Sequence, residues 1–137
     1  MRVSHVPHLQ FETTISLASE EKRAFAGEIT ELYAEQMKTG TGHVAVAIRT
    51  LTDGGFSLGR LDPDEEGIMI NADIREGRSF DQQRAFVRRA FDVAHEQWGI
   101  PTKNMYAVVT EHGGEQFHEH NRVLSSWDSD EANEGAD

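Results

Sequence analysis

A strand, a helix and a second strand can be read from this chain twice over, and that repetition constrains the fold more than any other feature. The first copy spans roughly residues 7–50. PHLQFETTISL reads as a strand giving way to a turn, Ser19 stands before EEKRAFAGEITELYAEQMK, and HVAVAIRTL follows as a second strand. Within the helix Phe25, Ile29, Leu32 and Tyr33 recur at helical spacing, acids occupy its first turn, and TGTG (Thr39 to Gly42) ends it. In HVAVAIRTL, Val44, Val46 and Ile48 fall on one face and alanines on the other.

The second copy spans roughly residues 67–111. GIMINADI alternates Ile68, Ile70, Ala72 and Ile74; Ser79 with Gln82 has capping-box spacing; Val87, Ala90, Phe91, Ala94 and Trp98 form a buried stripe. Gly99 and Pro101 stop that helix, and NMYAVVTE is the last strand. Between the copies, TDGGFSLGRLDPDEEG is turn-rich and is expected to hold a hairpin or a loop. A helix crossing between two strands favours parallel pairing. The expected fold is α+β: two β-α-β units forming a four-stranded sheet with two helices on one face. The other face, taken as rich in Val, Ile and Ala, is expected to associate with copies of itself.

Composition narrows the function classes. At 137 residues the chain is long enough for one domain with a real core. A formal charge of −11 argues against nucleic acid as a partner. No apolar run is long enough to span a membrane, and no secretory apolar stretch opens the chain. The default is therefore a soluble cytoplasmic protein. The absence of cysteine removes disulfides and thiolate metal sites. Residues 125–137 are expected to form an acidic, disordered tail, with five acids and no base after Trp127. Arginine outnumbers lysine (Lys22, Lys38, Lys103), and that acid-rich, lysine-poor balance suits a high-salt cytoplasm.

Two stretches carry candidate chemistry. In IREGRSF, Arg75 stands at a strand end, Gly77 permits a tight turn and Arg78 precedes the helix cap. Two guanidinium groups so spaced can converge on one carboxylate, with a helix N-terminus beside them; the alternative is a pair of surface arginines. In EHGGEQFHEHNR, Glu119 is a candidate acid/base or water-orienting carboxylate, and the alternative is an exposed polar loop. His112, His118 and His120 invite a metal, but their spacing matches no third ligand, and no metal or other cofactor is expected. His43, after TGTG, is expected to bond locally, and His95 to lie on the polar side of its helix.

TGTGHV, REGRS, PHLQFE and MYAVVTEHGGEQFHEHNRVL together resemble the tautomerase superfamily, whose catalyst is an amino-terminal proline, and within it the cis-3-chloroacrylic acid dehalogenase group. The likeness covers residues 7–124. It implies that Pro7, as a free amine, is the acid/base, that Arg75 and Arg78 bind a small carboxylate substrate, and that Glu119 positions water in hydrating or dehalogenating members. Glu119 and Arg122 fall on the family's glutamate and the arginine after it. It also implies a homo-oligomer, usually a trimer. The chain departs from the group at Val108, where the group has a tyrosine, and late in the first helix, where a histidine is replaced by Tyr33 or Glu35 depending on how the helix is counted.

Those departures favour keto–enol tautomerisation of a 2-keto acid over dehalogenation, with hydration or dehalogenation as the alternative. Everything then turns on residues 1–6. An internal proline nitrogen is a tertiary amide without a basic lone pair, and a terminal one is a secondary amine. Val6 precedes Pro7, and the valine codon GTG also serves as a start codon, so residues 1–6 are read as a mis-annotated extension. If the chain starts at Met1, the expectation becomes a catalytically silent carboxylate-binding protein.

Overall fold

The computed structural model describes residues 7–124. The segments 1–6 and 125–137, read above as an extension and an acidic tail, lie outside the described residues.

Four strands and two long helices follow one another in the expected order. They are β1 (His8–Thr13), α1 (Ser19–Met37), β2 (Ala45–Thr50), β3 (Ile68–Arg75), α2 (Phe80–Trp98) and β4 (Met105–His112). A two-residue pair, β5 (His118–Glu119) and β6 (Arg122–Val123), follows them. The sheet order is β2-β1-β3-β4, with β1 parallel to β2, β3 parallel to β4, and β1 antiparallel to β3. Each β-α-β unit is thus internally parallel, as a crossover helix requires, and the two units run in opposite directions.

Both helices cover one face. Leu9 and Phe11 of β1, and Ile68, Ile70, Ala72 and Ile74 of β3, pack there against Phe25, Ile29 and Tyr33 of α1 and Phe86, Ala90 and Ala94 of α2. Phe25 is the hub. Its ring stacks on Trp98 at 4.0 Å and meets Phe11 edge-on at 5.1 Å, joining both helices to the sheet. The buried stripe of α2 includes Phe86, which the sequence reading passed over, while Phe91 is only partly buried. The reason is that α2 also packs on α1, where Phe86 meets Tyr33 edge-on at 5.1 Å.

The caps differ in how local they are. Ser79 caps α2 as expected: its Oγ accepts from the Gln82 N–H, and the Gln82 Oε1 accepts from the Ser79 N–H. At α1 the cap position is Ala18, one residue before Ser19. The Glu21 carboxylate, not a serine hydroxyl, accepts the Ala18 N–H at 2.8 Å.

The open face of the sheet is a correction. Apart from Val108, the Val and Ile of the four sheet strands point at the helices, and the residues of opposite parity are mixed. His8, Gln10, Glu12, Asn71, Asp73 and Arg49 alternate there with Ala45, Ala47, Met69, Tyr106 and Val108. The premise of a Val/Ile/Ala-rich free face therefore fails, although Tyr106 and Val108 remain exposed on it. The segment between β2 and β3 holds turns and no hairpin. It is anchored by Arg60, which donates to the carbonyls of Lys103 and Met105. Gly67 closes it, because a Cβ there would meet Phe56, Leu61 and the Asn104 carbonyl at 3.1–3.3 Å. Among the described residues no helix is long and apolar enough to cross a membrane.

Removing the Phe25 ring opens a void at the point where three elements meet. Phe25→Ala is expected to lower unfolding free energy by about 3–5 kcal/mol, measured by urea denaturation. A loss under about 1 kcal/mol would mean that the hub is not a stability determinant.

Candidate functional site

Antiparallel pairing of β1 with β3 brings the start of one unit against the end of the other. His8 lies opposite Asp73 on one side and Ala45 on the other, so Pro7, just before it, sits at a rim formed by the starts of β1 and β2 and the ends of β3 and β4. Pro7 is buried, and its carbonyl accepts the Ala45 N–H at 3.1 Å.

Arg75 ends β3 at this rim, and Arg78 follows after a turn in which Gly77 takes φ 123°, a backbone angle that L side chains rarely adopt. Neither is a surface arginine: Arg75 is 2% exposed and Arg78 6%. Arg78 Nε donates to the Met37 carbonyl at 2.9 Å, which ties the turn to the last turn of α1. Its guanidinium carbon lies 5.8 Å from the centre of the Tyr33 ring. Guanidinium keeps its proton even when buried, so this end of the sheet carries two fixed positive charges.

The structure distinguishes the two residues that compete for the late-helix position. Tyr33 is 1% exposed and feels the charges of both Arg78 and Arg75; Glu35 is exposed on the helix and pairs with Arg89 at 2.7 Å. Tyr33 therefore belongs to the rim and Glu35 to the surface. Burial pushes the Tyr33 hydroxyl above its ordinary value, against the opposing pull of Arg78 and then Arg75. At neutral pH it is a neutral O–H, able to donate a hydrogen bond.

Glu119 is carried to the rim by β5. Its Oε2 lies 2.6 Å from His43 Nδ1, just ahead of β2. His43 thus has a long-range partner beyond the local bonding expected of it, because the β5–β6 turn folds back over the start of β2. On the open face, His112 Nε2 lies 2.7 Å from Asp73 Oδ1, a contact between β4 and β3 that the sequence reading missed. The only hint was that both residues lie near strand ends that parallel pairing aligns. Beside this pair is a cavity of about 300 Å³ bordered by His8, Ala45, Asp73, His112, Phe117 and His118. A larger cavity, about 420 Å³, lies at the far end of the sheet against Thr14, Leu51, Asp53, Phe56 and Glu65, away from every candidate residue. His118 and His120 do not share an extended face, because β5 ends at Glu119. Among the described residues no three His, Asp or Glu side chains form a group that could hold a metal ion. His95 closes the end of α2 through a 2.8 Å contact between Nδ1 and the Ile100 carbonyl.

The raised pKa of Tyr33 has a consequence for stability. The unfolded chain releases this proton first, as pH passes the ordinary value of 10.0, whereas the folded chain still holds it. The stabilising contribution is whole below that pH and is lost as pH rises through the folded value. Urea unfolding at about pH 8 and about pH 11 should show a smaller alkaline loss of stability in Tyr33→Phe than in the parent. Equal losses in the two proteins would contradict this burial.

No family profile and no curated protein sequence matches the chain. Solved structures do. N1, a member of the cis-3-chloroacrylic acid dehalogenase (cis-CaaD) family, is 23% identical, with 87% of this chain and 84% of that one covered and a TM-score of 0.77. Pt0534, solved after inactivation by 2-oxo-3-pentynoate, is 18% identical over 86% of this chain and 94% of its own, with a TM-score of 0.75. A fused 4-OT protein, an asymmetric trimer, is 16% identical over 85% and 94%, with a TM-score of 0.74. At these identities the likeness is one of architecture, and it agrees with the four-stranded sheet and two helices described above. The chain has the fold of the tautomerase superfamily.

Proposed function

We propose that the protein is a proline-dependent tautomerase of a small 2-keto or enol carboxylate, working with its chain opened at Pro7. The observation that carries this reading is the burial of Arg75 and Arg78 at the rim where β1 begins. Two permanent cations in a largely dry setting suit a carboxylate, which guanidinium grips through paired N–H donors. The same field raises the free energy of an added positive charge, so it favours the neutral, basic form of a nearby amine. Pro7 then takes a proton from carbon or returns one to it, while the carboxylate stays anchored. The inactivation of Pt0534 by a 2-oxo acid is in keeping with a site for such substrates in this fold.

A specific contact favours a second reading. Glu119, held at 2.6 Å by His43, has a fixed orientation of the kind needed to direct a water molecule, as hydration or dehalogenation of an unsaturated acid requires. Val108, where the dehalogenase group has a tyrosine, weighs against that chemistry. The assembly we propose is a trimer, in keeping with the trimeric fused 4-OT and with the exposed Tyr106 and Val108 on the open sheet face.

The test uses two forms of the chain, one starting at Met1 and one at Pro7, and follows exchange of the C3 protons of 2-oxobutanoate for deuterium by NMR. The Pro7 form should exchange, and Pro7→Ala in it should lose at least about 100-fold. Arg75→Ala should lower kcat/KM by roughly 10- to 100-fold, the worth of one or two charge-assisted hydrogen bonds. A Pro7→Ala rate equal to the parent's would remove the mechanism. Binding of 2-oxobutanoate without exchange in either form would identify a carboxylate-binding protein instead.

A further inference from the structure

We propose that His112, oriented by Asp73, is a second proton-transfer group of this site and acts on the substrate oxygen while Pro7 acts on carbon. The inference rests on the proline-dependent reading above and adds a catalytic residue to it.

Position comes first. His112 is the register partner of Arg75 at the ends of β4 and β3, so the two stand side by side at the rim. It borders the 300 Å³ cavity whose other walls include His8, next in the chain to Pro7, and Ala45, whose N–H holds the Pro7 carbonyl. A carboxylate anchored at Arg75 therefore has His112 beside its anchor, and in the proposed pose its neighbouring carbon meets Pro7 and its oxygen the imidazole.

Chemistry comes second. With Asp73 Oδ1 at 2.7 Å, Nε2 is the nitrogen that carries the proton in a neutral imidazole, and Nδ1 is left with the lone pair. The ring plane is held from another side by Phe117, which meets it edge-to-face at 5.6 Å. The Asp73 carboxylate also lies where it stabilises the imidazolium that forms. In the enol-to-keto direction, Nδ1 accepts the enol O–H proton as the C–O bond becomes a carbonyl. The electrons of the C=C bond take a proton from the Pro7 ammonium. Pro7 ends neutral and His112 protonated, and one proton transferred from His112 to Pro7 through solvent restores the starting state. No oxidant, metal or other reactant enters the balance.

The charged and titratable groups facing His112 come from four segments: Asp73 and Arg75 of β3, Glu76 of the following turn, whose N–H donates to the His112 carbonyl at 2.8 Å, His8 of β1, and His118 of β5. A change in the pH profile therefore has to be assigned by substitution.

The experiment uses the chain starting at Pro7 and the deuterium exchange of 2-oxobutanoate. His112→Gln should lower kcat by roughly 100-fold with KM changed less than about threefold, because the arginine anchor remains. The limb of kcat against pH due to the imidazole should vanish, while His8→Gln and His118→Gln keep it. Asp73→Asn, which preserves the shape of the side chain, should give a smaller loss in the same direction, and it serves as the readout if His112→Gln does not fold. A His112→Gln or Asp73→Asn enzyme that matches the parent, while Pro7→Ala is inert, overturns the dyad and leaves the proline mechanism standing. A parent that does not exchange overturns both.

Discussion

The antiparallel pairing of β1 with β3 is the contact on which the rest of the structure depends. Each β-α-β unit could form its own parallel pair, but only this junction sets the start of β1 against the end of β3. Side chains alternate along a strand, so a slip of one residue would turn Leu9 and Phe11 out of the core and His8 and Gln10 into it. Burial of that apolar set fixes the register. Through it, the register fixes which residues meet at the rim. Pro7, Arg75, the start of β2 and the end of β4 are neighbours because Phe11 must face Phe25.

Two guanidinium groups buried at that rim are expensive to desolvate. The local structure offsets the cost in part: Arg78 is tied to the end of α1 through the Met37 carbonyl and lies over the Tyr33 ring. Gly77 supplies the backbone angle that lets both arginines leave one turn in the required directions. A structural role alone could be filled by apolar residues of similar volume, often without loss of stability. Two charges retained at this point are in keeping with the carboxylate-binding role proposed above.

Much of the fold was legible because its signals are local. Alternation in GIMINADI, the stripe in α1 and the Ser79–Gln82 box each depend on residues within a turn or two of one another, and each was found in place. The REGRS turn was legible for the same reason. The unread features are non-local or aperiodic. His43 and Glu119 meet only because the β5–β6 turn folds back, and two-residue strands leave no period to detect. The open face was misjudged because apolar alternation shows that one face of a strand is buried and says nothing about what occupies the other. At α1 the cap position is Ala18, whose N–H donates to the Glu21 carboxylate, and an alanine carries no capping side chain for a sequence reading to find.

The identity of the groups that gather at the rim also restricts what it can do. Arg78 and Tyr33 stand toward α1, the arginine tied to the Met37 carbonyl and lying over the tyrosine ring, and burial holds the Tyr33 hydroxyl neutral at neutral pH. They can anchor an anion and donate hydrogen bonds, but they cannot move protons. Two imidazole–carboxylate pairs, His43–Glu119 and His112–Asp73, lie at the start of β2 and on the open face. Permanent cations and carboxylate-paired imidazoles at one rim are in keeping with the chemistry proposed above, in which one carboxylate is held while a proton moves between carbon and oxygen.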